Sequence, residues 1–354
     1  MKELRAYFRL FVGTTLPMLA FLLLALYLRP LLKTETPEPP PPEQTATAVI
    51  ETVFLPEPEP EPAEAELEAA VAPSPDALRT VTLLTGEETL ELSLGEYLLG
   101  VVAAEMPASF PPEALKAQAV AARTDTVWRQ SGRSPHPEGA VCADPSCCKA
   151  WLSREELEAR WGEDYDRWAA AIRQAVEETD GIVLLYGGEP IFAAFHACSD
   201  GSTEASENVW QEALPYLRSV SSPETAETVP DFYSALTVSY GELRRIAEAA
   251  LPEADLSGPA EDWLRDPVYT ESGRLLTVEL GGVTVSGTRL RSLLGLRSAA
   301  VTWTCGAEGV RFAASGYGHG VGMSQYGARQ MALDGADCWT ILAHYYPGTT
   351  PGRI

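Results

Sequence analysis

Positive charge is scarce in this chain. Asp and Glu number 50 against 26 Lys and Arg, a formal charge of −24. Such a surface repels phosphate, which argues against nucleic acid as a partner. Part of the acidity sits in residues 34–78, so the remainder is less extreme than the total. Cysteine is also sparse, with 6 in 354 residues. Three fall between Cys142 and Cys148, while Cys198, Cys305 and Cys338 are scattered, unlike a small disulfide framework. There is no His-Glu-x-x-His pair, which disfavours a catalytic zinc of that type. The glycine-rich run near the C-terminus lacks the Gly-Lys-Ser/Thr of a phosphate loop. In Gly322-Met-Ser324-Gln-Tyr326 it also lacks the closing glycine of a nucleophile elbow.

Charge disappears altogether from Leu10 to Leu28, where Phe, Leu, Ala and Val dominate. Spanning a bilayer takes roughly 20 apolar residues. Lys2, Arg5 and Arg9 precede the run and favour a cytoplasmic N-terminus. The expectation is a cytoplasmic tail at 1–9, a transmembrane anchor at 10–32 and everything beyond on the outside. A cleaved signal peptide is the alternative, although the run is long and Arg29-Pro30 follows it without a small-x-small site. Residues 33–78 are rich in Pro and Glu, as in Pro56-Glu-Pro-Glu-Pro-Glu-Pro62. They read as an extended spacer that cannot fold by itself.

Folded sequence is expected from about Leu78, giving a domain at 79–354. Thr80 to Leu84 and Thr89 to Leu92 alternate around Gly86 and read as a hairpin. Ser93-Leu-Gly-Glu96 matches a capping box. The helix that follows should stop near Glu105, because Pro107 disfavours helix at Met106. Glu105 then sits at the negative end of the helix dipole with little polar company, and both effects raise a carboxyl pKa. A general acid working near neutral pH needs that shift. An idle, exposed helix-end Glu is the alternative.

The next helix runs from Pro111-Pro112 to about Trp128. Lys116 and Arg123, seven positions apart, should project from one side ~10 Å apart along the axis. They could bind a sugar carboxylate or lactyl group, or be a solvated face. Beyond the helix, His136, Cys142, Cys147 and Cys148 have the residue types of a tetrahedral Cys3His zinc site, structural rather than catalytic. Adjacent cysteines rarely share one ion, so one of Cys147 and Cys148 is expected to be free. A Cys142–Cys148 disulfide is the other reading.

Glycine occupies every second position from Gly316 to Gly322. In an extended strand that strips one face of side chains, so the backbone can take a flat polymer or another chain at close range. Tyr317 and His319 would point the other way, and Ser324 would cap a helix through Gln330. His196 and Ser199 follow the strand beginning at Ile182 and could form part of a cleft. Residues 216–310 mix one helix with alternating strands, carry no chemistry-bearing cluster and read as an inserted subdomain. The fold class is therefore α+β, helices and short strands around one cleft.

Two motifs in this order are highly specific. They are Glu105-Met-Pro107 with Glu113-Ala-Leu-Lys-Ala-Gln-Ala-Val-Ala-Ala-Arg-Thr124, and Gly318-His-Gly-Val-Gly-Met-Ser-Gln-Tyr-Gly-Ala328. Over about residues 80–350 the chain resembles the stage II sporulation protein D (SpoIID) family. The resemblance implies a peptidoglycan lytic transglycosylase that cleaves peptide-stripped glycan strands during engulfment in spore formation. It also implies a membrane-bound peptidoglycan amidase and a multispanning protein as partners. The family's acid falls on Glu105, its helix cations on Lys116 and Arg123, and its zinc ligands on His136, Cys142 and Cys148. Gln118, His196, Ser199, Tyr317, His319, Ser324, Gln325 and Tyr326 complete the expected glycan-binding set. Cys147-Cys148-Lys149 replaces the family's His-Cys-Gln, Ser199-Asp200-Gly201 replaces its Ser-Gly-Gly, and Asp125 stands where an aromatic is usual. A single acid suffices for cleavage if the muramic acid C6 hydroxyl closes onto C1, leaving an anhydro sugar. The rival reading is a non-enzymatic glycan binder that stimulates an amidase. A zinc hydrolase is a third.

Overall fold

The computed structural model describes residues 74–86, 88–210 and 212–354. The expected anchor at 10–32, and the linker up to residue 73, lie outside the described residues. Among those described, no helix is long and apolar enough to cross a membrane.

Regular structure is already present at Ser74, ahead of the expected start. Ser74 caps a short helix, α1 (Pro75–Leu78), accepting from the Ala77 amide at 3.2 Å. The expected hairpin is β1 (Thr80–Leu84) with β2 (Thr89–Ser93), paired from Thr80 opposite Ser93 to Leu84 opposite Thr89. Gly86 takes the turn at φ 90°. The next helix, α2 (Leu94–Glu105), has the full capping box between Ser93 and Glu96. It ends where Pro107 requires, with Met106 extended at φ −127° and ψ 136°.

The central element is α3 (Pro112–Trp128), buried along nearly all its length. Its small residues Ala117, Ala119, Ala121 and Ala122 are completely covered. Lacking bulk, they let neighbouring elements pack close to the helix axis. Against α3 lie α2, α5 (Tyr165–Glu178) and β4 (Ile182–Tyr186), and α4 (Arg154–Trp161) lies on α5. Two strands flank β4, β5 (Glu189–Pro190) and β14 (Thr350–Arg353). The helices α9 (Gln325–Leu333) and α10 (Cys338–Tyr345) close the other side of α3. The architecture is mixed helix and strand, with several small sheets.

A second core lies between Val238 and Ala314, around Leu243, Val278, Leu290 and Phe312. It joins the sheet β7 (Tyr233–Val238), β12 (Gly309–Ser315) and β11 (Val301–Gly306) to the sheet β8 (Leu264–Tyr269), β9 (Leu275–Leu280) and β10 (Val283–Ser286). Thr270 and Ser272, in the β8–β9 turn, donate to Glu204 Oε2 at 2.7 and 2.6 Å and tie this part to the first core.

The glycine ladder is not an extended strand. Gly316, Gly318, Gly320 and Gly322 have φ of 72°, 115°, 86° and 70°. Backbone of that kind is open to glycine and strained for other residues. The chain loops at each glycine, and the bare positions face inward onto its own structure rather than a foreign polymer. A Cβ on Gly318 would lie 2.7 Å from the His196 Cβ, and one on Gly322 would collide with the Ala194 carbonyl. The segment ends in β13 (Met323–Ser324), which runs parallel to β6 (Phe195–His196).

Candidate active site

Glu105 closes α2 and is half-buried. Its Oε1 accepts from the Ala150 amide at 3.1 Å. The pKa is raised, chiefly by burial; the Ala150 N–H, the Lys149 cation and the Gln325 amide pull the other way. Gln325, the first residue of α9, also donates to Gln118 Oε1 of α3 at 3.4 Å. Gln118 Nε2 is buried with no partner. Thus Gln118 and Gln325 gather around Glu105. A cavity of about 390 Å³ opens beside it, lined by Met106, Ser109, Arg160, Trp161 and Trp168 among others. Among the described residues, Glu105 is the only carboxylate in that lining.

The two helix cations are elsewhere, and the expectation for them is corrected. Lys116 bridges Glu113 at 2.7 Å and Glu178 of α5 at 2.6 Å. Arg123 is wholly buried. It donates to both oxygens of Asp76, with Nη2 at 2.6 Å from Oδ2, and to Thr179 Oγ1 and the Ile182 and Val176 carbonyls. Every arm of this guanidinium is occupied by protein, so none is left for a ligand. Asp125, which stands where the family usually has an aromatic, is also buried. It takes Arg129 Nε at 2.8 Å and contacts the Lys149 ammonium. Asp125 does not line the cavity beside Glu105, so it is not placed as a second carboxylate there.

His196, Ser199 and Ser324 form an internal network instead of a cleft wall. His196 Nδ1 faces the Val321 carbonyl at 3.2 Å, and its Nε2 lies 2.7 Å from Ser199 Oγ. Burial drives its pKa far down, so the ring is neutral. Glu224 anchors the network: it accepts from the Ser199 amide at 2.6 Å, Ser222 Oγ at 2.5 Å and Ser324 Oγ. Ser324 also caps α9, as its sequence position implied. Tyr317 is exposed, with the Arg297 guanidinium 4.5 Å from its ring centre. Tyr326 meets Phe110 edge-on at 5.1 Å. His319 lies 5.0 Å from Trp210, and burial lowers its pKa to about 4.

Three features beside Glu105 were not singled out from the sequence. The Ala150 amide carries no side-chain signal at all. Lys149 was visible only as a departure from a family pattern. Arg160, Trp161 and Trp168 belong to α4 and α5, which bore no motif.

The candidate metal ligands converge. Ligand atoms of His136, Cys142, Cys147 and Cys148 all lie within 4.8 Å of one another. His136 Nε2 is 3.4 Å from Cys147 Sγ. Zinc bonds of ~2.0–2.3 Å in a tetrahedron fit that spacing. All six cysteines are free, so the Cys142–Cys148 disulfide is not present, and both Cys147 and Cys148 join the cluster. Burial pushes the Cys148 thiol up to about 12, with crowding by Cys142 adding to it. A bound cation relieves such crowding by stabilising the thiolates. Arg129 Nη1 donates to Cys148 Sγ at 3.7 Å. The loop from His136 to Ala150 thus runs from the cluster directly to the Glu105 contact.

The family model of Stage II sporulation protein matches residues 86–186. Stage II sporulation protein D of Bacillus subtilis is 37% identical over 268 residues, covering 75% of this chain and 76% of that protein. Its counterpart in Bacillus amyloliquefaciens is 38% identical over 259 residues, 73% of each chain. The amidase enhancer of Bacillus subtilis is 29% identical over 301 residues, spanning 72% of this chain but 40% of that protein. The chain belongs to the stage II sporulation protein D family.

Proposed function

We propose that this chain is a lytic transglycosylase that cleaves peptide-stripped peptidoglycan strands. The observation that carries the reading is a single carboxyl group, Glu105, with a raised pKa beside a cavity whose lining offers no second acid. Hydrolysis of a glycoside ordinarily needs two carboxyl groups. Intramolecular closure needs one. Glu105 gives its proton to the leaving glycosidic oxygen as the C1–O bond breaks. Its carboxylate then takes the proton of the C6 hydroxyl as O6 bonds to C1, so the acid is restored with no net proton consumed. Gln325 holds the carboxyl from one side and the Ala150 amide from the other. Trp161 and Trp168, in the cavity lining, supply aromatic surface on which sugar rings could pack. Mass spectrometry of digested stripped strands should show 1,6-anhydromuramyl ends; hydrated reducing ends would remove the mechanism.

The cluster of His136, Cys142, Cys147 and Cys148 would hold one structural zinc, bracing the loop that carries Ala150. Its chemistry is confined to binding thiolates and imidazole. We expect one equivalent of zinc by elemental analysis, lost in Cys142→Ser. Chelation should loosen residues 136–150 in hydrogen exchange and lower turnover by misplacing Glu105. Full turnover in metal-free protein would show that the cluster has no part in holding the site.

Sequence expectations of an N-terminal anchor, an extracytoplasmic domain in the intermembrane space of a sporulating cell, and amidase and multispanning partners belong to the same proposal. The amidase enhancer relative favours a second reading, in which the protein binds glycan and stimulates an amidase without cutting. Purified protein incubated with strands separates the two: no cleavage, with amidase stimulation intact, selects the second.

A further inference from the structure

A second hollow lies at the far end of α3, about 410 Å³ in volume. Its walls include Trp128, Tyr186, Phe192, Trp210 and Tyr216, in a chain that is only 8% aromatic. Phe192 stands between Trp128 at 4.9 Å and Trp210 at 5.3 Å, while Tyr186 pairs with Tyr216 at 5.5 Å. Trp210 and Tyr186 remain 39% and 40% exposed. Aromatic surface left open in a concave wall is a feature of binding sites rather than cores.

One cation faces this wall. Trp128 ends α3, and Gly132, at φ 89°, turns the chain so that the Arg133 guanidinium lies 5.8 Å from the Trp128 ring centre. Arg133 is exposed, its Nη1 donates to Ser131 Oγ at 2.5 Å, and among the described residues it has no carboxylate partner. Glu189 and Glu212 also line the hollow, as hydrogen-bond acceptors.

We infer that this hollow is a distal sugar subsite, which binds an N-acetylmuramyl residue with its lactyl carboxylate on Arg133. The inference rests on the reading of the glycan strand as substrate. The C–H faces of a pyranose pack on aromatic rings whose polar edges stay wet. Glu189 and Glu212 suit the sugar hydroxyls and acetamido N–H. The lactyl carboxylate is free only after the stem peptide has been removed; before that it is an amide. Arg133 would thus distinguish stripped from unstripped strands by a charge-assisted pair. Trp210 lies 5.0 Å from His319, in the loop that leads into β13 and Gln325. Gln118 and Trp128, ten positions apart on α3, place the hollow ~15 Å along the helix from the Glu105 group.

The test uses full-length Glu105→Gln protein, which should hold strands without cutting them, titrated with stripped and stem-bearing glycan fragments. Adding Arg133→Gln should raise Kd about tenfold, or 1.4 kcal/mol, for stripped fragments and leave stem-bearing ones unchanged. Adding Trp210→Ala should raise Kd for both, with Tyr186→Ala as a second aromatic variant. Unchanged Kd in all three, with tight binding by the parent, would sink the subsite and leave the catalytic reading standing. No binding by the parent would sink both. Displacement of bound glycan by a peptide covering residues 37–62 would reassign the hollow to the chain itself.

Discussion

Glu105→Gln should lower strand cleavage by roughly 10²–10⁴-fold, the usual worth of one general acid–base group. Glutamine keeps the shape and can still accept from the Ala150 amide, so strand binding should persist. Stability should not fall. A carboxyl whose folded pKa is raised is costly to ionise in place, and above that pKa the native state carries the cost. Glutamine removes it, so the variant should equal or exceed the parent in neutral-pH urea melts, the difference shrinking as pH falls below the native pKa and gone below the unfolded Glu value of about 4.3. The wild-type pH profile follows with the same sign. Only the protonated form can donate, so kcat/KM should hold below the folded pKa and decline above it. That limb should lie above the ordinary Glu value of about 4.3. A variant that cleaves at the parental rate would take Glu105 out of the reaction.

Asp76→Ala should destabilise the domain by about 3–5 kcal/mol, the typical cost of leaving one member of a buried ion pair alone. Arg123 is fully covered, and Asp76 accepts from both its Nε and Nη2. Asp76 Oδ1 also accepts from the Gly181 amide at 3.3 Å. One guanidinium thereby joins α1, α3, the end of α5 and the start of β4. A matching drop in the urea midpoint at constant slope would register the loss. The double variant Asp76→Ala with Arg123→Met should recover part of it, because no unpaired charge then remains inside. A loss below 1 kcal/mol would mean that water reaches Arg123 in the native state.

Local chemistry was legible in the sequence. Ser93 and Glu96 set the start of α2 and Pro107 set its end, since caps and proline sterics act within a turn or two. The ligand cluster was legible for the same reason, as His136 and Cys148 are close along the chain. What failed were inferences from exposed-face geometry. Lys116 and Arg123 share a side of α3 by spacing, yet that side faces protein. The glycine ladder has the period of a strand but not its dihedrals.

By itself the sequence determined where helices begin and end, which acid terminates one of them, and the family. Only the tertiary structure decided which charges are buried and what faces them. Burial depends on partners that spacing rules cannot reach: Asp76 and Arg123 lie 47 positions apart, and Gln118 and Gln325 are separated by 207. Lys149 beside Glu105, the tryptophans of the cavity wall and the aromatic hollow all arise in the same way. Each exists because distant segments pack together, and packing is set by the whole core at once.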